Sequence, residues 1–184
     1  MALMHSEDMA LGTLAPDFQL PDAHGHVYSL KEQRGAKGTL VIFMCNHCPY
    51  VKHIAPVLSP LGRAWQDEGI SLIGINSNDW SRYPDDSPEK MIEESRHWEY
   101  PFFYLIDEDQ SVARSYHAVC TPDIYLFDRD LKLFYHGEFD NTRPGQGQAT
   151  GSCLQDAIKR LVNRQEPPPE QKPAVGCSIK WKPS

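Results

Sequence analysis

Two cysteines separated by two residues, in Met44-Cys45-Asn46-His47-Cys48-Pro49, are the residues of this 184-residue chain best placed to do chemistry. Thiols at i and i+3 on the first turn of a helix can close a strained, reversible disulfide. The free N–H groups and dipole of a helix start favour the thiolate that thiol–disulfide exchange needs. On this reading Cys45 faces the open amides. The same residue types leave two other readings open. Cys45 and Cys48 could be zinc ligands, with His47 and Cys120 completing the shell, although C-x-H-C on one turn crowds the ligands and no second zinc-ribbon pair follows. They could also be two buried structural thiols.

Such a pair needs a strand before it and a helix after it, and the surrounding sequence supplies both. Residues 39–44 (TLVIFM) form a continuous β-branched and aromatic run, which predicts a strand buried on both faces. A helix is expected over 48–67, with Val51, Ile54, Val57 and Leu58 at helical spacing, Pro49 in the first turn, a kink at Pro56 and a stop at Gly69. Strands are expected at 70–75 and 102–106. Ser87-Pro88-Glu89 starts a helix with Ser as N-cap. A short helix at 110–117, a hairpin of 124–127 with 131–135, and a last helix at 152–163 complete the series. A strand pair around Pro21–Gly25 precedes it. The order β-β-α-β-α-β-α-β-β-α predicts a three-layer α/β/α fold with a mixed central sheet. Residues 1–165 read as one domain with an N-terminal strand extension. Residues 166–184 read as an irregular, proline-rich tail that packs back on it.

Composition bounds the function. Lys and Arg number 18 against 25 Asp and Glu, a net charge of −7, which argues against nucleic acid as a partner. A chain of this size can bury about 70% of its extended surface, enough for a core without disulfide staples. No apolar run approaches the roughly 20 residues that span a bilayer. The first 16 residues lack the basic start and apolar stretch of a secretory signal, so a cytoplasmic setting and no membrane association are expected. Five cysteines (Cys45, Cys48, Cys120, Cys153 and Cys177) are then expected to be mostly reduced.

With its motifs placed, the chain resembles the thioredoxin superfamily, and within it the peroxiredoxin-like branch of alkyl hydroperoxide reductase and thiol-specific antioxidant proteins. The resemblance rests on Ala15-Pro16-Asp17-Phe18, Cys45 to Lys52, Gly74 to Asp79, Cys120-Thr121-Pro122-Asp123, Phe139-Asp140, Arg143-Pro144-Gly145 and Gly176 to Trp181. It implies a thiol-disulfide oxidoreductase needing no cofactor and no metal. Cys45 would attack a protein or small-molecule disulfide and Cys48 would resolve the mixed disulfide. Pro122 would be the cis-proline facing them, and the Thr121 backbone would pair with the substrate chain. Asn46 and His47 would face substrate. Asp79 would take up the Cys48 proton. His also precedes the second cysteine in oxidising members of the superfamily, which implies that His47 stabilises the Cys45 thiolate and raises the redox potential. A thioredoxin or glutathione system would supply electrons to a monomer or weak dimer.

The departures are specific. Cys48 falls where peroxiredoxins carry the peroxidatic cysteine, but Cys45 stands in place of their threonine and Pro122 in place of their arginine. A thiol peroxidase is therefore the rival enzyme, and a non-catalytic metal- or partner-binding module the rival outside enzymes. Thioredoxin's buried Asp corresponds to Thr39. Cys120 and Cys177 could be accessory redox thiols or packed hydrophobes. Cys153 is expected to be structural, His53 solvated, and Asp140 with Arg143 a loop ion pair. Phe102, Phe103, Tyr104, Tyr125 and Phe127 are expected in the core.

Overall fold

A computed structural model describes residues 3–183. Its strands are β1 (Leu3–His5), β2 (Gln19–Pro21), β3 (Val27–Ser29), β4 (Gly38–Phe43), β5 (Ile70–Asn76), β6 (Phe103–Ile106), β7 (Cys120–Thr121), β8 (Asp123–Asp128), β9 (Leu133–His136) and β10 (Val175–Ser178). The α-helices are α1 (Leu30–Gln33), α2 (Pro49–Asp67), α3 (Pro88–His97), α4 (Ser111–Ser115) and α5 (Ser152–Val162).

The central sheet runs β6-β5-β4-β8-β9. β4, β5 and β6 are parallel, whereas β8 is antiparallel to β4 and to β9. This is the expected mixed sheet. β4 is buried along its whole length because its alternate side chains feed two separate cores. Leu40 and Ile42 join Val51, Ile54, Leu58 and Trp65 of α2 and Leu154 and Ile158 of α5. Val41 and Phe43 join Leu30, Val112, Tyr116, Tyr125 and Phe127 on the opposite face. Helices on both faces make the three layers.

Local signals hold at several boundaries. Ser87 caps α3 through the Lys90 N–H, with Pro88 in the first turn. Gly69, at φ +92°, follows the end of α2, where a left-handed residue stops a helix. Three expectations need correction. α2 begins at Pro49, and Cys48 is its N-cap. Phe103 is 37% exposed, because it opens an edge strand and stacks on Tyr28 at the surface. The tail is not irregular throughout: it carries β10, which lies between β1 and β7 in an antiparallel three-stranded sheet. No local pattern announces that strand, since its pairing partners lie over 50 residues away.

Candidate active site

β4 ends at Phe43, and Met44 extends it with an N–H bonded to the Ile75 carbonyl. The chain then turns through Asn46 and His47 into α2. A turn this tight strands two backbone donors, and one buried carboxylate takes both. Asp86 Oδ1 accepts the N–H of Asn46 at 2.8 Å and of His47 at 3.1 Å. Asp86 Oδ2 accepts from His47 Nδ1 at 2.6 Å and from Asn78 Nδ2 at 2.8 Å. Asp86 is fully buried. Burial works to raise its pKa, but the His47 and Asn78 bonds prevail and hold it below the usual carboxylate value. The Asn46 side chain donates to the Asp85 carbonyl and accepts from the Tyr104 hydroxyl. The His47 ring stacks on Tyr83.

The five cysteines are free thiols. Cys45 and Cys48 lie in one buried cluster without a disulfide between them. Burial, the neighbouring Cys48 and the nearby Asp86 charge push the Cys45 thiol well up. Cys48 is lowered to about 5, first by the neighbouring Cys45, against the cost of burial. Thr121, Cys177 and the Val51 N–H of the first turn of α2 add to the stabilisation. The Cys48 thiol donates to the Thr121 carbonyl at 3.2 Å. Of the two sulfurs, Cys48 is the one whose charged form is favoured and Cys45 the one whose charged form is disfavoured. Cys48 is the N-cap of α2, and although its sulfur makes no capping hydrogen bond, the positive end of the helix dipole at that position favours negative charge there.

The Thr121–Pro122 peptide is cis, and Thr121 bridges the pair, with its hydroxyl 3.5 Å from Cys45 Sγ. The Thr121 backbone, however, is not free for a substrate chain. Cys177 of β10 pairs with it. Asp79 does not reach the cysteines through any of these bonds. Its carboxylate accepts from the Ser81 N–H and hydroxyl, and the carboxylate beside the pair is Asp86. His47 gives its Nδ1 bond to Asp86 rather than to a sulfur, and Asn46 is tied into the protein through both ends of its amide. Cys120 is buried, and its pKa is raised by burial and by Asp123, as for a packed thiol. Cys177 is buried against Cys48. Arg143 pairs with Glu138 at 2.9 Å and not with the Asp140 carboxylate, which instead gathers N–H groups from Thr142, Thr150 and Gly151. His53 bonds to the Thr142 hydroxyl. Beside Pro122 a small cleft is lined by Tyr50, His53, Ile54, Arg143 and Val175.

Sequence reasoning missed Asp86. It lies in a 3-10 turn, Pro84–Asp86, within a polar loop holding Asp79 and Asp85 as well, and nothing local separates the three. Cys45 Sγ, His47 Nδ1 and an Asp86 oxygen lie within 4.8 Å of one another, a spacing that suits a cation. Each already has a hydrogen-bond partner, Cys45 in Thr121 and His47 and Asp86 in one another, so a cation would compete with the bonds that shape the site.

A C-x-x-C motif between a buried strand and a helix, facing a cis-proline, defines a thioredoxin-like thiol protein. Residues 11–136 match the AhpC/TSA family, and the chain belongs to that family. It is similar to a thiol-disulfide oxidoreductase ResA of Geobacillus kaustophilus, at 28% identity over 66% of this chain and 66% of that protein, so it spans about two thirds of that relative's length. A conserved protein of Geobacillus kaustophilus has the same fold over 100% of this chain and 98% of its own, with a TM-score of 0.97 and 45% identity. A protein from Sinorhizobium meliloti 1021 superposes with a TM-score of 0.95 at 39% identity, covering 98% of this chain and 99% of that one. Among the described residues no helix is long and apolar enough to cross a membrane.

Proposed function

We propose that this protein is a thiol-disulfide oxidoreductase whose nucleophile is the Cys48 thiolate. The observation that carries this reading is the placement of Cys48 at the N-cap of α2 with Cys45 beside it, both in contact with Thr121 of the cis Thr121–Pro122 bond. Cys48 attacks one sulfur of a substrate disulfide, and the other sulfur leaves as a thiolate. Cys45 then attacks Cys48 Sγ of the mixed disulfide. The second substrate sulfur leaves and takes the Cys45 proton, and a Cys45–Cys48 disulfide remains. Two electrons have passed to the substrate. Substrates are disulfides of proteins or small thiols, and a reduced thioredoxin or glutathione system in the cytoplasm restores the pair.

The reading is tested by insulin reduction with dithiothreitol as donor. The wild type should accelerate precipitation of the insulin B chain, and Cys48→Ser should fall to the rate of the blank. A wild-type rate equal to the blank overturns it. A thiol peroxidase is the second reading, favoured by the thiolate at the peroxidatic position. The absent threonine and arginine leave a peroxide without polarising partners. Hydrogen peroxide consumption followed beside the insulin assay separates the two.

A further inference from the structure

The cis-proline edge of a thiol-exchange site should be open, yet here the chain's own C-terminal strand fills it. β10 lies antiparallel to β7 with Cys177 opposite Thr121 and Ser178 opposite Cys120. β1 closes its other side. The register is fixed by backbone contact. A Cβ on Gly176 would stand 2.0 Å from the Thr121 carbonyl oxygen and 3.2 Å from Pro122 N, which no side chain could occupy. The strand is held from both ends. Upstream, the N–H of Ala174 bonds to the Ser6 hydroxyl. Downstream, the Ile179 N–H reaches the Val119 carbonyl, the Lys180 N–H reaches Asn78 Oδ1, and Trp181 lies under Arg114 at 4.5 Å. This anchorage sets Cys177 opposite Thr121, whose carbonyl lies 3.2 Å from Cys48 Sγ, so that the two thiols sit in one buried cluster.

Cys48 thus has two thiol neighbours, Cys45 from its own motif and Cys177 from the far end of the chain. We propose that Cys177 is a third redox thiol, a second resolving cysteine that forms a Cys48–Cys177 disulfide. The inference rests on the assignment of Cys48 as the nucleophile. After Cys48 attacks a small disulfide RSSR and releases RS⁻, Cys177 attacks Cys48 Sγ. The Cys48–SR bond breaks, RS⁻ leaves with the Cys177 proton, and the new bond joins Cys48 to Cys177. RSSR is reduced to two RSH, and the protein loses two hydrogens. Burial and the neighbouring Cys48 push the Cys177 thiol up to about 12, so in the resting protein it stays protonated. It becomes a nucleophile only when Cys48 has lost its charge to a mixed disulfide. The consequence is that oxidation fastens the tail strand covalently across the cis-proline edge, and reduction frees it.

The full chain is treated with bis(2-hydroxyethyl) disulfide, quenched in acid, alkylated and mapped by non-reducing peptide mass spectrometry. In Cys45→Ser, with Cys153→Ser to remove the partly exposed thiol, Cys48 and Cys177 should be found joined, with two mercaptoethanol released per protein. One mercaptoethanol and a stable adduct on Cys48, or a Cys48–Cys120 link, overturns the inference. The wild type, mapped in the same way, removes any dependence on a variant's folding. A Cys48–Cys177 peptide beside Cys45–Cys48 supports the inference, and Cys177 recovered wholly alkylated in fully oxidised protein overturns it. The insulin assay is read separately. Reduction of insulin with no Cys48–Cys177 link defeats this inference alone, and the link without insulin reduction defeats the proposed activity alone.

Discussion

Among the described residues two histidine–aspartate pairs rest on fully buried carboxylates, and they serve different ends. His47 and Asp86 meet at 2.6 Å beside the cysteines, and His136 and Asp123 meet at 2.8 Å between β9 and β8. Both carboxylates are fully buried. The second pair spans adjacent strands, where Tyr125 and His136 face each other in register and stack at 4.1 Å. Its other oxygen accepts the Tyr125 hydroxyl. It ties together chain that the sheet already holds. Asp86 instead takes two backbone N–H groups from a loop that no sheet holds, and it also binds Asn78, whose carbonyl oxygen holds the tail at Lys180. The same interaction reinforces a sheet in one place and shapes a reactive loop in the other. What it does depends on which backbone it tethers.

The largest effect expected separates the pairs by substitution. Asp86→Asn and Asp123→Asn should each destabilise the fold by about 3 kcal/mol in denaturant unfolding, the usual scale for breaking a buried pair. Only Asp86→Asn should change the cysteines. Alkylation of the motif thiols by monobromobimane should speed up about tenfold, as for a local opening made easier by about 1.4 kcal/mol. An equal acceleration in Asp123→Asn would erase the distinction drawn between the two pairs.

Acidification offers a second test, because both Asp86 and Cys48 have folded pKa values below their unfolded ones. Such groups contribute stability that is present above the unfolded pKa and is lost as pH falls through the folded one. For Cys48 that window runs from an ordinary thiol value of roughly 8.5 down to about 5. Thiolate absorbance near 240 nm should therefore show one step at about pH 5. Cys48→Ser should remove it. A first step no lower than about 8 would return the charge to an ordinary thiol. For Asp86 the loss begins only below about pH 4, and Asp86→Asn should flatten that part of the acid unfolding curve.

The smallest expected effect is on redox poise. Because His47 Nδ1 bonds to Asp86 and not to sulfur, His47→Gln should shift the potential by about 15 mV or less, roughly 0.7 kcal/mol. His136→Gln should not shift it. Equilibration in glutathione buffers measures both. A drop of about 30 mV or more for His47→Gln would mean that the imidazole acts on the thiolate directly.

The strand at TLVIFM, the helix behind Pro49, the caps at Ser87 and Gly69, and the cysteine pair were all legible in the chain, and the family resemblance implied the proline at 122. Each is a local matter: a run of β-branched residues, a residue that lacks an N–H, a left-handed glycine, a motif of fixed spacing. The three-layer architecture followed, because strand–helix–strand units leave few alternatives. Folding in three dimensions was needed to fix which sulfur carries the charge, which of three nearby aspartates serves the loop, and what covers Thr121. Asp79, Asp85 and Asp86 look alike in sequence, and only packing buries Asp86 under two stranded amides. Cys177 lies 129 residues after Cys48, and Gly176 carries no mark of the carbonyl it must clear. Electrostatics and close approach depend on distance in space, and a sequence records distance only along the chain.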